Sequence, residues 1–196
     1  METVRLAPRK KNAARLAGHL VFIDESGFLL IPSVRKTWSP VGQTPVVRHR
    51  YAPDRVSAIA GIAVSPKRCR CTLYCQLYED NIRGDEVAAF LRHLLQQISG
   101  HLVVLLDNGG IHPGDPVQEL LARTSRLHLE PFPAYAPELN PDEGVWNHLK
   151  AHLANGRPDT WAALMDVLSG EVCRLAASPS LLRGCIEHSD LPPFLP

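Results

Sequence analysis

At 196 residues, with 45% hydrophobic and 21% charged residues, the chain can bury one substantial core and lacks the composition of a disordered protein. A formal net charge of +1 neither demands nor excludes a nucleic-acid partner, because a whole-chain sum hides local patches. No apolar run reaches the roughly 18 residues of a membrane span, and the N-terminus lacks the apolar stretch of a signal peptide, so a cytoplasmic protein with no membrane partner is expected.

Residues 1–17 read as a basic, poorly ordered lead-in containing Arg9-Lys10-Lys11. LVFID (20–24) is apolar on both faces and reads as a central strand that ends in an acid. Residues 27–53 mix Pro, Gly and Trp, as in a loop, and hold one short strand, TPVVRH. RVSAIAGIAV and CRCTLYCQLY follow, joined by Ser65-Pro66-Lys67-Arg68, which is a hairpin pattern. Asp85 opens an amphipathic helix in which Val87, Phe90, Leu91, Leu94 and Leu95 recur at helical spacing. HLVVLLD (101–107) is a second doubly apolar run ending in an acid. A short helix (PVQELLART), a strand (RLHLEPF), a Pro-rich loop and a helix from Pro141 come next. From Thr160 the pattern gives one or two further helices, closing on LPPFLP. Strands first in a meander and then alternating with helices predict a mixed sheet with helices on its faces, in the α/β or α+β range.

Two basic clusters besides the lead-in, Arg48-His49-Arg50 and Lys67-Arg68 with Arg70, each read first as solvated surface. The cysteines are Cys69, Cys71, Cys75, Cys173 and Cys185, an odd number in a reducing compartment, which argues against a disulfide framework. Odd numbering places Cys69, Cys71 and Cys75 on one face of an extended strand. A zinc site there would need a fourth ligand and a loop that lets the thiolates converge, so a half-buried strand face is the simpler reading and their role stays open.

Asp24 and Asp107 each close a buried strand, where a carboxylate is costly unless paired, protonated or metal-bound. Either one alone also reads as a loop-start residue capping a turn. Parallel central strands, however, would bring both to the carboxyl ends of the sheet, the usual position of a site in such folds. Glu143 lies in ELNPDEGVWNHLK, where Asn140 suits an N-cap, Pro141 the first helical position and Glu143 the reciprocal capping position. At 100° per residue the stripe of Val145, Leu149 and Leu153 is centred about 120° from Glu143, so Glu143 can equally face a cleft. Asp142 is expected to be a helix-start acid favoured by the dipole. Three hard oxygen ligands without a thiolate or imidazole cluster suit Mg²⁺ or Mn²⁺, and a two-metal site about 4 Å across serves phosphodiester chemistry.

FIDESGF, TWSPVGQTP, VVLLDNGGIH and PAYAPELNPDEGVWNHLK, in that order, closely resemble the mariner-like DDE transposases of bacterial insertion sequences. The matching positions are Asp24; Trp38, Gly42 and Pro45; Asp107, Asn108 and His112; and Asn140, Pro141, Glu143 and Trp146, with 35 residues between Asp107 and Glu143. The resemblance implies an α/β, RNase H-like mixed sheet with helices on both faces, a core over about 18–155 and C-terminal helices over 158–190 within a catalytic domain of 18–196. It implies Mg²⁺- or Mn²⁺-dependent cleavage and strand transfer at transposon ends by Asp24, Asp107 and Glu143, in a nucleoid-associated enzyme acting on end and target DNA. Asn108, His112, Asn140 and Lys150 become possible site neighbours. Asn108 reads equally as a turn former, His112 as a packed or surface histidine and Lys150 as a solvated one, while Trp146 reads as core packing. Only about 20 residues precede the first strand, so an end-reading helix-turn-helix segment is expected to be encoded upstream. A homodimer is possible. The other readings are a hydrolytic RNase H-like nuclease and a non-catalytic remnant that regulates transposition.

Overall fold

The doubly apolar run at residue 20 becomes the middle strand of a five-stranded sheet. In the computed structural model, which describes residues 16–30, 38–43, 55–107, 116–133, 136–154, 158 and 160–195, β1 is His19–Leu29, β2 Arg55–Val64, β3 Cys71–Tyr78, β4 Leu102–Leu106 and β5 Leu127–Pro131. The strand order is β3-β2-β1-β4-β5. The β1–β2 and β2–β3 pairs are antiparallel, and the β1–β4 and β4–β5 pairs are parallel. The helices are α1 (Gly84–Gln97), α2 (Pro116–Arg123), α3 (Asp142–Leu153), α4 (Trp161–Ala176) and α5 (Pro179–Glu187), with a 3₁₀ turn at Pro137–Leu139.

Period-two alternation sorts the sheet's side chains into two cores. Val21, Ile23, Ile59 and Val104 meet Phe90, Leu91 and Leu94 of α1 and Val117 of α2 on one face. On the other, Leu20, Phe22, Ala60, Ile62 and Leu105 meet Val145, Trp146 and Leu149 of α3, together with α4 and α5. The C-terminal segment completes this second layer, since Phe194 lies against Phe22 with ring centroids 6.1 Å apart. Helices therefore cover both faces. Among the described residues, no helix is long and apolar enough to cross a membrane.

Two expectations need correction. The first strand does not stop at Asp24 but runs to Leu29, because β2 continues as an antiparallel partner from Asp24↔Ala60 to Leu29↔Arg55. Its ladder satisfies the backbone of Glu25, Ser26 and Gly27, which would otherwise read as a turn. Cys69 is not on the strand face of Cys71 and Cys75. It belongs to the β2–β3 turn, exposed, with Ser65 Oγ 3.8 Å from its sulfur, while Cys71 and Cys75 pack half-buried against the α3 layer. All five cysteines are free thiols. The basic lead-in up to residue 15, the short strand TPVVRH, Pro45 and Arg48-His49-Arg50 lie outside the described residues.

Candidate active site

The parallel β1–β4 pairing sets the two aspartates side by side. Leu20 is level with Val103 and Phe22 with Leu105. Two residues further along the same register, Asp24 comes level with Asp107, one residue past the end of β4. Both positions share the parity of Phe22 and Leu105, whose side chains face the α3 layer. Asp24 is thus a mid-strand residue of β1 at the height where β4 ends, which explains how a strand interior can supply a site residue.

Glu143 enters from the first turn of α3, and its capping reading is overturned. The Asn140 backbone amide donates to the Pro137 carbonyl at 2.8 Å, so it is not held by Glu143. Asn140 Oδ1 instead accepts from the Asp142 amide at 3.2 Å, and the helix begins one residue later than the sequence suggests. Asn140 is buried and positions the helix start. A cap contributes about 1 kcal/mol, whereas each fully buried Val, Leu or larger side chain contributes about 1.5–3 kcal/mol. Val145, Trp146 and Leu149 therefore fix α3, and Glu143 is left half-exposed on its edge.

Electrostatics link the three acids. Asp24 is raised to about 6, first by burial and then by the charges of Glu143 and Asp107, against the pull of hydrogen bonds from Trp146 and the Glu25 backbone. Glu25, on the opposite face of β1, is also raised to about 6 by burial and by Asp107, Asp24 and Glu86. The site is thus a concentration of negative charge in partly desolvated surroundings, an arrangement that favours a cation. Among the described residues, no group of three Asp, Glu, His or Cys side chains already stands at metal-ligating spacing. The donor set of oxygens alone nonetheless fits a hard divalent ion.

Two roles escaped the sequence reading. Trp146 is buried core, edge-on to Phe28 at 6.0 Å, and its indole N–H also donates to Asp24 Oδ2 at 2.8 Å. On the helical wheel Trp146 falls about 60° from Glu143, between the core stripe and the cleft face, so the signal was present. Asp142 is not a solvated helix-start acid. It is fully buried, and neither carboxyl oxygen has a well-formed hydrogen bond among the described residues. The wheel again explains this, because Asp142 lies within the stripe of Val145, Leu149 and Leu153. Its carboxyl is pushed far up by burial and by Asp24 and Glu143, with only partial relief from the Ile62 backbone.

Of the remaining candidates, Lys150 is half-buried two turns along α3 from Glu143, while Asn108 and His112 lie outside the described residues. In the loop after β1, Trp38 is fully exposed and Gly42 adopts a positive φ of 80° that favours glycine.

Replacing Trp146 by Phe keeps the ring in the core and removes the hydrogen bond to Asp24. A bond to a charged group is worth about 1.5–3 kcal/mol, so the Asp24 pKa should rise by about one to two units. A carboxyl ¹³C titration of Asp24 reads this directly, and an unmoved midpoint in Trp146→Phe would refute the positioning role.

A family profile for the DDE superfamily endonucleases matches residues 19–164. Among solved structures, the chain is similar to the Mos1 mariner paired-end complex with Mg (17% identity, TM-score 0.56, covering 93% of this chain and 62% of that one). It is similar to the Mos1 transposase paired-end complex with left transposon end (17%, 0.55, 93% and 62%) and to the Mos1 paired-end complex with Mn (16%, 0.53, 96% and 64%). The chain thus spans less than two thirds of the length of these Mos1 chains. No curated protein matches the sequence. The matched span contains Asp24, Asp107 and Glu143, the mixed five-stranded sheet is the RNase H-like fold of these neighbours, and the chain belongs to the DDE superfamily endonucleases.

Proposed function

We propose that the chain is the catalytic domain of a DDE transposase, cutting DNA at transposon ends and joining the freed 3′-hydroxyl to target DNA. The observation that carries this reading is the level position of Asp24 and Asp107 on adjacent parallel strands, with the charge of Glu143 felt at Asp24. Asp24, Asp107 and Glu143 would hold Mg²⁺ or Mn²⁺, in keeping with Mos1 complexes solved with each ion. The chemistry such ions would supply when bound is Lewis-acid polarisation of the phosphodiester and activation of the attacking oxygen. The protein's part is positional. Trp146 orients Asp24, the β1–β4 register sets Asp107 beside it, and the buried face of α3 holds Glu143 at the cleft. Transposon-end DNA as partner is in keeping with a Mos1 transposase structure solved with a left transposon end; end recognition by a helix-turn-helix segment and assembly as a homodimer belong to the same proposal.

The test is a joining assay with Mn²⁺, supercoiled plasmid and a labelled oligonucleotide bearing a 3′-hydroxyl. The expected result is metal-dependent nicking together with covalent transfer of label to the plasmid. Nicking without transfer would favour the hydrolytic nuclease instead, and loss of both reactions would favour the non-catalytic remnant.

A further inference from the structure

At the other end of the sheet from the acids lies a cleft of about 280 Å³, lined by His19, Ser65, Arg70, Thr72, Tyr74 and Ser99 among others. His19 opens β1, five residues before Asp24, so the two places are about 17 Å apart along the strand. They also lie on opposite faces, since His19 shares the parity of Val21 and the α1 layer, and Asp24 that of Phe22 and the α3 layer.

The cleft is built from the β2–β3 turn, which is held tightly. The Ser65 amide donates to the Arg70 carbonyl at 2.9 Å, the Arg70 amide to Ser65 Oγ at 3.1 Å, and the Arg68 amide to the Ser65 carbonyl at 2.8 Å. Arg68 adopts a φ of +61°, a conformation that non-glycine residues seldom take unless the surroundings impose it. Among the described residues, its Nη1 is enclosed with no hydrogen-bond partner, and so is Nδ1 of His19. The neighbouring helix end does not absorb this charge, because the Leu95, Ile98 and Gly100 carbonyls already accept from Arg126. No acid occurs anywhere in residues 55–78, which carry Lys67, Arg68 and Arg70 at the turn.

We propose that this cleft is a second DNA contact, which seats a backbone phosphate of the duplex on Arg70 with His19, Ser65 and Thr72 as polar neighbours, the charge of Arg68 in the adjoining turn adding to the positive field. An exposed arginine and an enclosed, unpartnered histidine nitrogen, in a cleft whose lining holds no carboxylate, call for an anion with several acceptor oxygens. Burial and the charges of Arg68 and Arg70 already hold His19 below its ordinary pKa, which is how an unneutralised positive field reads locally. The volume is below the range of whole drug-sized ligands and suits one phosphodiester unit. The inference rests on the DNA-cutting reading only for the source of the phosphate.

The test is fluorescence anisotropy of a labelled 20-base-pair duplex in EDTA over a range of salt concentrations, using the whole chain. Arg70→Ala should weaken binding about tenfold and reduce the salt slope by about one. Arg174→Gln, which removes an equal charge from α4 on the other face of the sheet, should stay within twofold. In a parallel NMR titration of the wild-type chain, inorganic phosphate should produce saturable shifts of the His19 ring and the Ser65 and Arg70 amides. Equal effects of the two variants, or an unchanged His19 spectrum, would overturn the proposal. Phosphate shifts without any loss of DNA binding in Arg70→Ala would overturn it in favour of a free-phosphate site. Because binding is read without metal, these outcomes are independent of whether the Mn²⁺ joining assay succeeds.

Discussion

Asp107→Asn should lower metal-dependent strand cleavage at least about 10³-fold while leaving the chain folded, and Asp24→Asn and Glu143→Gln should do the same. The magnitude follows from the charge each carboxylate brings to a bound divalent ion. Metal stabilisation of the transition state is worth several kcal/mol, and each 1.36 kcal/mol is tenfold in rate. Asp107 is the cleanest of the three to replace, because it is exposed beyond the end of β4 and carries none of the core. The same variant tests metal binding without activity. At an ion concentration a hundredfold above its Kd, binding stabilises the folded chain by about 2.7 kcal/mol, or roughly 5–10 °C in Tm for a chain of this size. Mg²⁺ or Mn²⁺ should produce that shift in the wild type and none in Asp107→Asn. A shift of equal size in the variant would mean that the ion binds elsewhere, and cleavage within tenfold of wild type would remove Asp107 from the catalytic group.

The parts of this site that were readable in the sequence are those with a period or a spacing. Doubly apolar runs at 20–23 and 102–106 announced central strands, and each became one. Strand ends were not readable, because a ladder depends on the partner. β1 continues past Asp24 only because Arg55–Ser57 of β2 pairs with Gly27–Leu29. Helix α3 carried more information than its capping pattern suggested. Asn140, Pro141 and Glu143 fit a capping box by type, yet the 3₁₀ turn before them takes the Asn140 amide and frees the glutamate. The wheel that sets Glu143 off the core also sets Asp142 within it, whereas its place at the helix start suggests a solvated acid favoured by the dipole; the burial of Asp142 shows that position on the wheel wins. Trp146 was read as packing, which its burial bears out. Its indole N–H could have been anticipated, since a buried indole donor needs an acceptor and Asp24 is the one provided.

Asp142→Asn should stabilise the metal-free chain at pH 7 by about 2 kcal/mol or more, with the gain disappearing near pH 4. Burying an ionised carboxyl without a partner costs several kcal/mol, and the group escapes part of that cost by keeping its proton. Both Asp142 and Asp24 have folded-state pKa values raised above the ordinary 3.8, Asp24 to about 6. In the window above 3.8 the unfolded chain has released protons that the folded chain still holds, so folding stability falls as pH rises. For Asp24 the loss is complete by about pH 6 and amounts to about 3 kcal/mol. For Asp142 the loss extends further in the same direction. His19, whose pKa is lowered by burial, contributes the opposite slope near neutrality, so the wild-type curve alone is ambiguous and the difference between variant and wild type is the informative quantity. Asparagine has no proton to release, is nearly isosteric, and makes the pH-dependent part of the Asp142 contribution vanish. A divalent ion discriminates further. It should recover the Asp24 contribution by binding its ionised form, while leaving most of the Asp142→Asn difference in place, because burial is the largest cause of the raised Asp142 pKa and the charges of Asp24 and Glu143 come second. Urea unfolding in EDTA at pH 4 and pH 7, for both proteins, provides the four free energies. A difference that is the same at the two pH values would show that Asp142 is not held protonated by the fold.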